Sequence, residues 1–425
     1  MTGKNRYIKA MISLLIVSAI LLSGCGSKKI VPLSDNISAA SSAAGFLAAK
    51  VEESGGFISS DAQRQKASDY AYLYDNALAA VVLARAGAQE HAEIISDAIV
   101  FAQTHDRTFS DGRLRNTYNS GDPESDSGRS IASGKVTIRI PGFWQNGRWQ
   151  EDAYTVSTST GNMAWAILAL CAAAENASDE KREEYLEAAG RAADFVLTLR
   201  SDNGGFTAGY EGWDDAQKKA TYQSTEHNID LYCAFSVLSD ALSEKDSVKS
   251  VEYKNAAEYA KDFVLSMYDR KLRCFYTGTE NNGKTVSDGI IPLNTNSLAV
   301  LALGDELTDS EKILSFVEER MAVGGGYDFS AGDLDGIWNE GTAQMALCYF
   351  KLGNTEKYDT IMAYLKTQTG KDGSIPAADR DGVSTGFVIE GSDALWEYNN
   401  EQSIGATAWA AFAQLGVNPF GFKEA

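Results

Sequence analysis

Proline is scarce in this chain, 6 in 425 residues, and histidine scarcer still, with 3. So few prolines beside 38 glycines suit helices separated by glycine-marked turns. Three histidines exclude chemistry built on histidine pairs. His91 falls on an amphipathic helix, His105 opens a loop, and only His227 stands at the start of an apolar helix. The cysteines show no C-x-x-C spacing, so zinc is not indicated. Cys171, Cys233 and Cys348 lie in alanine-rich runs and read as small buried hydrophobes. A P-loop, a dinucleotide fingerprint after a strand and Gly-x-Ser-x-Gly are all missing. Positive charge is short as well: 38 Lys and Arg stand against 58 Asp and Glu, a net charge of −20. That field repels nucleic acids, excludes them as partners and disfavours a polyuronate. Alternating β-branched runs are nearly absent, with Val136–Ile140 the one good strand candidate. No cofactor and no metal is called for.

The N-terminus carries Lys4, Arg6 and Lys9, then an apolar run from Ala10 to Leu22, too short for a comfortable membrane span. Leu22-Ser23-Gly24-Cys25 follows and resembles the lipobox of bacterial lipoproteins. The resemblance implies a signal peptide over 1–24, lipid on Cys25, a short linker over 25–36, and a protein held outside the cytoplasm through that lipid alone.

The remaining chain, 37–420, repeats one unit six times. Short Ala/Leu-rich helices begin in polar clusters at Asp75, Thr160, Glu226, Asn294, Asn339 and Glu401. The third reads Ile229, Leu231, Tyr232, Ala234, Phe235, Val237, Leu238 and is apolar all round, which predicts a buried helix. Between these runs lie one-sided helices, clearest where Tyr185, Ala189, Ala192, Val196 and Leu199, or Tyr253, Ala256, Ala260, Phe263 and Met267, share a stripe. Weaker versions cover about 37–53, 90–104, 310–321 and 355–369. Glycine turns such as Gly55-Gly56-Phe57 and Gly324-Gly325-Gly326-Tyr327 follow most outer helices. Outer helix, turn, loop and inner helix, six times over, predict an all-α (α/α)6 toroid as one domain. A toroid of this size closes its own core, so a monomer is expected.

With this repeat the chain resembles the six-hairpin glycosidase-like superfamily of (α/α)6 barrels. The glycine–aromatic turns also resemble those of prenyltransferase and terpene-cyclase toroids, but Asp-x-Asp-Asp and a zinc ligand set are missing. The glycosidase resemblance implies a rim where outer-to-inner loops meet the inner-helix N-termini. Long loops near 105–159 and 370–400, and a moderate one near 203–225, bring Trp144, Trp149, Tyr154, Trp213 and Trp396 to it, and Trp338 stands beside a further loop. Flat aromatic faces beside polar groups suit sugar rings, or they pin the loops to the barrel.

Glycoside hydrolysis needs a proton donor and an opposing carboxylate. Glu226, Asp75 and Glu340 are the candidates, with Glu226 expected as the acid and Asp75 or Glu340 as the base. Glu226 and Asp230 are four apart and share a helix face; Asp230 and His227 are candidate substrate contacts. If Thr225 caps this helix, Glu226 lies in its first turn. Each acid could instead serve only its helix end. The aspartates of Asp333-Leu334-Asp335-Gly336 resemble part of a calcium loop but do not complete it, and read as a solvated turn. The reading is a lipid-anchored glycoside hydrolase, inverting, acting on a carbohydrate; a glycan-binding lipoprotein or a polysaccharide lyase are the alternatives.

Overall fold

The computed structural model describes residues 42–60, 70–125, 128–129, 135–389 and 393–421. The expected signal peptide over 1–24, Cys25 and the expected linker over 25–36 lie outside them. Among the described residues no helix is long and apolar enough to cross a membrane.

Twelve helices carry the fold. Six form an inner set: α2 (Leu73–Arg85), α4 (Thr160–Glu175), α6 (Thr225–Leu242), α8 (Leu293–Leu303), α10 (Asn339–Lys351) and α12 (Ile404–Leu415). The six outer helices alternate with them along the chain: α1 (Ala43–Ser54), α3 (Gln89–Thr104), α5 (Asp179–Leu197), α7 (Ser247–Ser266), α9 (Ser310–Met321) and α11 (Thr355–Gln368). Each inner helix packs on the next, and α12 returns to pack on α2, so the inner ring closes. The composition of each helix explains its place. Every residue of α8 is buried, and so is α4 from Thr160 to Ala174, because neither carries a charged stripe. In contrast, α5 buries Tyr185, Leu186, Ala188, Ala189, Ala192, Ala193, Phe195 and Val196 and turns its acids to water.

One side-chain device recurs in the hairpins. An Asn or Thr in the first turn of the inner helix binds the backbone of the turn leaving the preceding outer helix. Asn76 Oδ1 accepts from Ile58 N at 2.8 Å, and Asn228 Oδ1 from Phe206 N at 2.8 Å. Asn296 takes Phe275 N at 2.8 Å, Thr342 takes Tyr327 N at 3.0 Å and Thr407 takes Ile375 N at 2.9 Å. In the second hairpin Met163 Sδ occupies this place and accepts from Leu114 N. Gly205 is needed for the approach: φ is +64° and a Cβ would stand 2.7 Å from Asn228 Oδ1. The polar helix starts are therefore partly structural, and they fix each inner helix against its loop.

Several boundaries differ from the sequence expectation. Ser224, not Thr225, caps α6, its hydroxyl accepting from His227 N at 3.3 Å. Asn339 is the first residue of α10 and binds Pro376 O, while Trp338 holds the cap position without a side-chain bond. Glu401 precedes α12 by three residues; its carbonyl accepts from Ala377 N and the cap is Ser403. The strand expected over Val136–Ile140 is paired only at Val136–Thr137. Cys171, Cys233, Cys274 and Cys348 are free and buried.

The long second loop is anchored by Arg115, which is fully buried. Its guanidinium binds Asp106 at 2.6 Å, Asp214 at 2.5 Å and Val156 O at 3.1 Å. Burial pushes Asp214's carboxyl up, but Arg115 and Arg107 hold it well below the usual range. Removing the cation leaves Asp106 buried without its partner, so Arg115→Met is expected to cost about 3–5 kcal/mol in chemical denaturation. The far end of the ring is closed by the segment after α12. Phe420 is buried against Trp165 at 5.6 Å, and Asn418 binds Leu301 O at 2.9 Å. Phe420→Ala should leave a cavity there and lower stability by about 3 kcal/mol.

Candidate active site

The pinning residues give the six repeats a common register, and the position two residues before each pin points into the ring at its open end. Around the ring those positions hold Tyr74, Gly161, Glu226, Asn294, Glu340 and Gly405. Asp75 follows Tyr74. Three carboxylates therefore enter from alternate inner helices α2, α6 and α10, and all three are partly accessible. The helices between them supply small or neutral residues that let the acids approach one another.

Gly405 sits between Glu340 and Asp75. A Cβ on it would meet Glu340 Oε2 at 2.7 Å and Asp75 Oδ1 at 3.2 Å, so both carboxylates converge on the space it leaves. Gly161 does the same for His227, whose Cδ2 would lie 2.6 Å from an added Cβ. Tyr74 donates to Glu340 Oε1 at 2.7 Å and accepts from the Trp409 indole N–H at 3.0 Å.

Burial raises every acid in the group. Burial, then the charges of Asp75 and Glu226, lift Glu340 to about 8 against the opposing hydrogen bond from Tyr74. Burial lifts Asp75 to about 6, opposed by Ser60. Glu226 is raised by burial and held back by the Asn294 amide. Burial lowers His227 to about 4, so its ring is neutral at pH 7, and its Nδ1 has no hydrogen-bond partner.

A raised carboxyl weakens the fold as pH rises. Unfolded Glu340 ionises near its ordinary value of 4.5, whereas the folded group keeps its proton to about 8. Its contribution is therefore fully present below pH 4.5 and is lost as pH rises to about 8. Glu340→Gln should flatten the stability–pH curve over that window, as read by thermal melts at several pH values.

The aromatic residues divide into three groups. Tyr154 and Tyr398 face the acids: burial first, then neighbouring carboxylates, raises both phenols. Tyr154 continues outward to Trp396 at 6.3 Å and Tyr72 at 6.2 Å, forming a partly exposed aromatic track from the acids. Trp144 and Trp149 pack on each other at 5.8 Å on the hairpin Phe143–Gln150 and are 71% and 47% exposed. Trp213, also exposed, donates to Glu151 O at 2.9 Å, beside the base of that hairpin.

Two expected contacts need correction. Trp338 is 2% exposed and stacks beneath Tyr398 at 5.5 Å, so it backs the site without offering a face to a ligand. Asp230 is 1% exposed and lies a turn below Glu226. It offers no exposed surface to a substrate, and burial, then the charge of Glu226, hold its carboxyl well above the usual range. The turn at Asp333–Gly336 is more ordered than a solvated loop. Asp328, Asp333 and Asp335 bring carboxylate oxygens within 4.8 Å of one another. Asp328 accepts from Phe329 N and Asp335 N, and Asp335 accepts from Ser384 N, which ties the turn to the loop after α11.

The sequence matches no protein-family model and no curated protein. Solved structures do match. A glycosidase variant in complex with glucose superposes with a TM-score of 0.58 at 12% identity, covering 90% of this chain and 98% of that one. An alpha-amylase from Clostridium perfringens gives 0.55 at 12% identity, with 88% and 97% covered. A GH76 alpha-mannanase from Bacteroides thetaiotaomicron gives 0.51 at 13% identity, with 89% and 94% covered. The chain shares the helical-ring fold of these proteins.

Tyr74, Asn294, Gly161 and Gly405 were not singled out from sequence as site residues. The signal was present: once the repeats are aligned on Asn76, Met163, Asn228, Asn296, Thr342 and Thr407, one column collects the residues facing the ring opening.

Proposed function

We propose that the protein is a glycoside hydrolase that cleaves a neutral glycan outside the cytoplasmic membrane, where lipid on Cys25 holds it. The observation that carries this is the convergence of Glu226, Glu340 and Asp75 from alternate inner helices beside the Tyr154–Trp396 track. The net charge of −20 favours a neutral chain over a uronate. The glycosidase, amylase and mannanase similarities agree with a carbohydrate substrate, at the level of fold.

We assign the two glutamates the reverse of the roles expected from sequence. Glu340, lifted to about 8, holds a proton at neutral pH. It donates that proton to the glycosidic oxygen as the bond from C1 to that oxygen breaks. A water molecule adds to C1 from the opposite face, and Glu226 takes its proton; burial raises the Glu226 carboxyl, and the Asn294 amide offsets part of that in favour of the ionised form the step requires. The products are two sugar ends, one reducing, and proton exchange with solvent resets both acids. Asp75 stands beside Glu340 and keeps its proton on. This arrangement inverts the anomeric centre.

The test is reducing-sugar release by the detergent-solubilised protein from α- and β-glucans, mannans, xylans and uronates, with Glu226→Gln in parallel. Release from a neutral polymer that vanishes in Glu226→Gln is the expected result. Ultraviolet-absorbing unsaturated product from a uronate would make the protein a lyase. Glycan retention without release, unchanged by Glu226→Gln, would make it a binding protein.

A further inference from the structure

Glu340 presents two oxygens in different settings. Oε1 accepts the Tyr74 hydroxyl at 2.7 Å, and Oε2 faces the space above Gly405 that it shares with Asp75 Oδ1. The setting of Tyr74 decides which oxygen can carry a proton. An indole N–H can only donate, so Trp409 takes a lone pair of the phenol oxygen. The phenol's single hydrogen must then go elsewhere, and Glu340 Oε1 is the acceptor the described residues place within reach. A proton on Oε1 would oppose that hydrogen head-on.

We propose that Tyr74, aligned by Trp409, is a positioning residue that keeps the proton of Glu340 on Oε2, directed at the cleft. The reading rests on Glu340 being the acid of the proposed hydrolase. It adds that the acid's donor geometry is set by a chain running Trp409, Tyr74, Glu340. The chain is braced from behind, since Trp165 meets Tyr74 at 5.7 Å and Trp409 at 5.9 Å, both edge to face. Trp165 is in turn backed by Phe420. Burial acts on Glu340 first, and the other titratable groups that raise it are Asp75 from α2 and Glu226 from α6; Tyr398, from the loop before α12, is itself raised by Glu340. The flanking helices α8 and α12 present Asn294 and Gly405, which do not titrate. Tyr74 is thus a hydrogen-bond donor that opposes burial and two neighbouring carboxylates, all of which disfavour ionised Glu340.

The test needs no substrate. The carbonyl stretch of protonated Glu340, assigned by its loss in Glu340→Gln, is followed by infrared difference titration of the whole protein. Tyr74→Phe keeps the ring and removes the donor that favours the anion, so the Glu340 midpoint should rise by about one pH unit. Trp409→Phe frees the phenol to turn away and should give a smaller rise in the same direction. Near-ultraviolet circular dichroism checks folding, and Trp409→Phe carries the test if Tyr74→Phe does not fold. An unchanged midpoint in a folded Tyr74→Phe protein would overturn the proposal. Trp409→Phe titrating as wild type does would overturn the alignment step. On any glycan the protein cleaves, Tyr74→Phe should lower kcat at unchanged KM and move the high-pH limb upward. Shifted midpoints in a protein that cleaves no glycan would sink the hydrolase reading and leave this one standing.

Discussion

Glu340→Gln is expected to lower kcat on a natural glycan by about 10²–10⁴-fold, the usual contribution of a positioned general acid. Glutamine keeps the size of the side chain and an oxygen for the Tyr74 hydroxyl, so the loss is of the proton alone. Two further readouts separate this from a structural defect. An aryl glycoside whose leaving group needs no proton should be cleaved by the variant with little penalty. The fold should be more stable at pH 8 relative to wild type, because a neutral amide replaces a carboxyl whose ionisation the surroundings resist. Equal losses on both substrate types would remove Glu340 from the acid role.

Gly405→Ala should separate activity from stability in the opposite way. Gly405 is the second residue of α12, where alanine ordinarily favours a helix by about 0.5–1 kcal/mol. Its added methyl would stand 2.7 Å from Glu340 Oε2 and 3.2 Å from Asp75 Oδ1, distances at which the carboxylates must move. A displacement on the order of 1 Å at a reacting group costs about 10²-fold in rate. The expected outcome is a thermal midpoint at or above wild type with kcat/KM lowered by about 10²-fold. Wild-type activity in this variant would show that the space between Glu340 and Asp75 is not where the reaction occurs.

Much of the architecture was legible because burial writes itself into composition. An inner helix such as α8 has water on no side and tolerates no charged stripe, whereas α5 keeps a polar face. Repeating that contrast six times leaves little choice but a ring. The acids at the inner-helix starts were legible for the same reason, as charges at the ends of segments otherwise fully apolar. The cleft's finer structure was not. Asp75, Asn76 and Asn339 look alike in sequence, yet Asn76 and Asn339 hold backbone and Asp75 faces the space above Gly405. Only the register of the helix against its loop tells them apart. Gly405 and Gly161 act by what they lack, which no local pattern reveals. Trp338 and Trp396 also looked equivalent beside their loops. One is buried under Tyr398 and the other is open, because Trp338 enters the ring at a helix start and Trp396 lies on a rim strand. Glu340's carboxyl is raised first by burial in the closed ring and then by Asp75 and Glu226, which come from helices far away in sequence.

The central claim is a pair formed by Glu340 and Glu226 acting across the cleft, and the anomer first released tests it most directly. Proton NMR of the reducing end during the first minutes of cleavage, before mutarotation, reports that configuration. The account predicts the inverted anomer, since Glu226 activates a water on the face opposite the leaving group. The retained anomer would contradict it, and would point to Asp75, close beside Glu340, as a nucleophile.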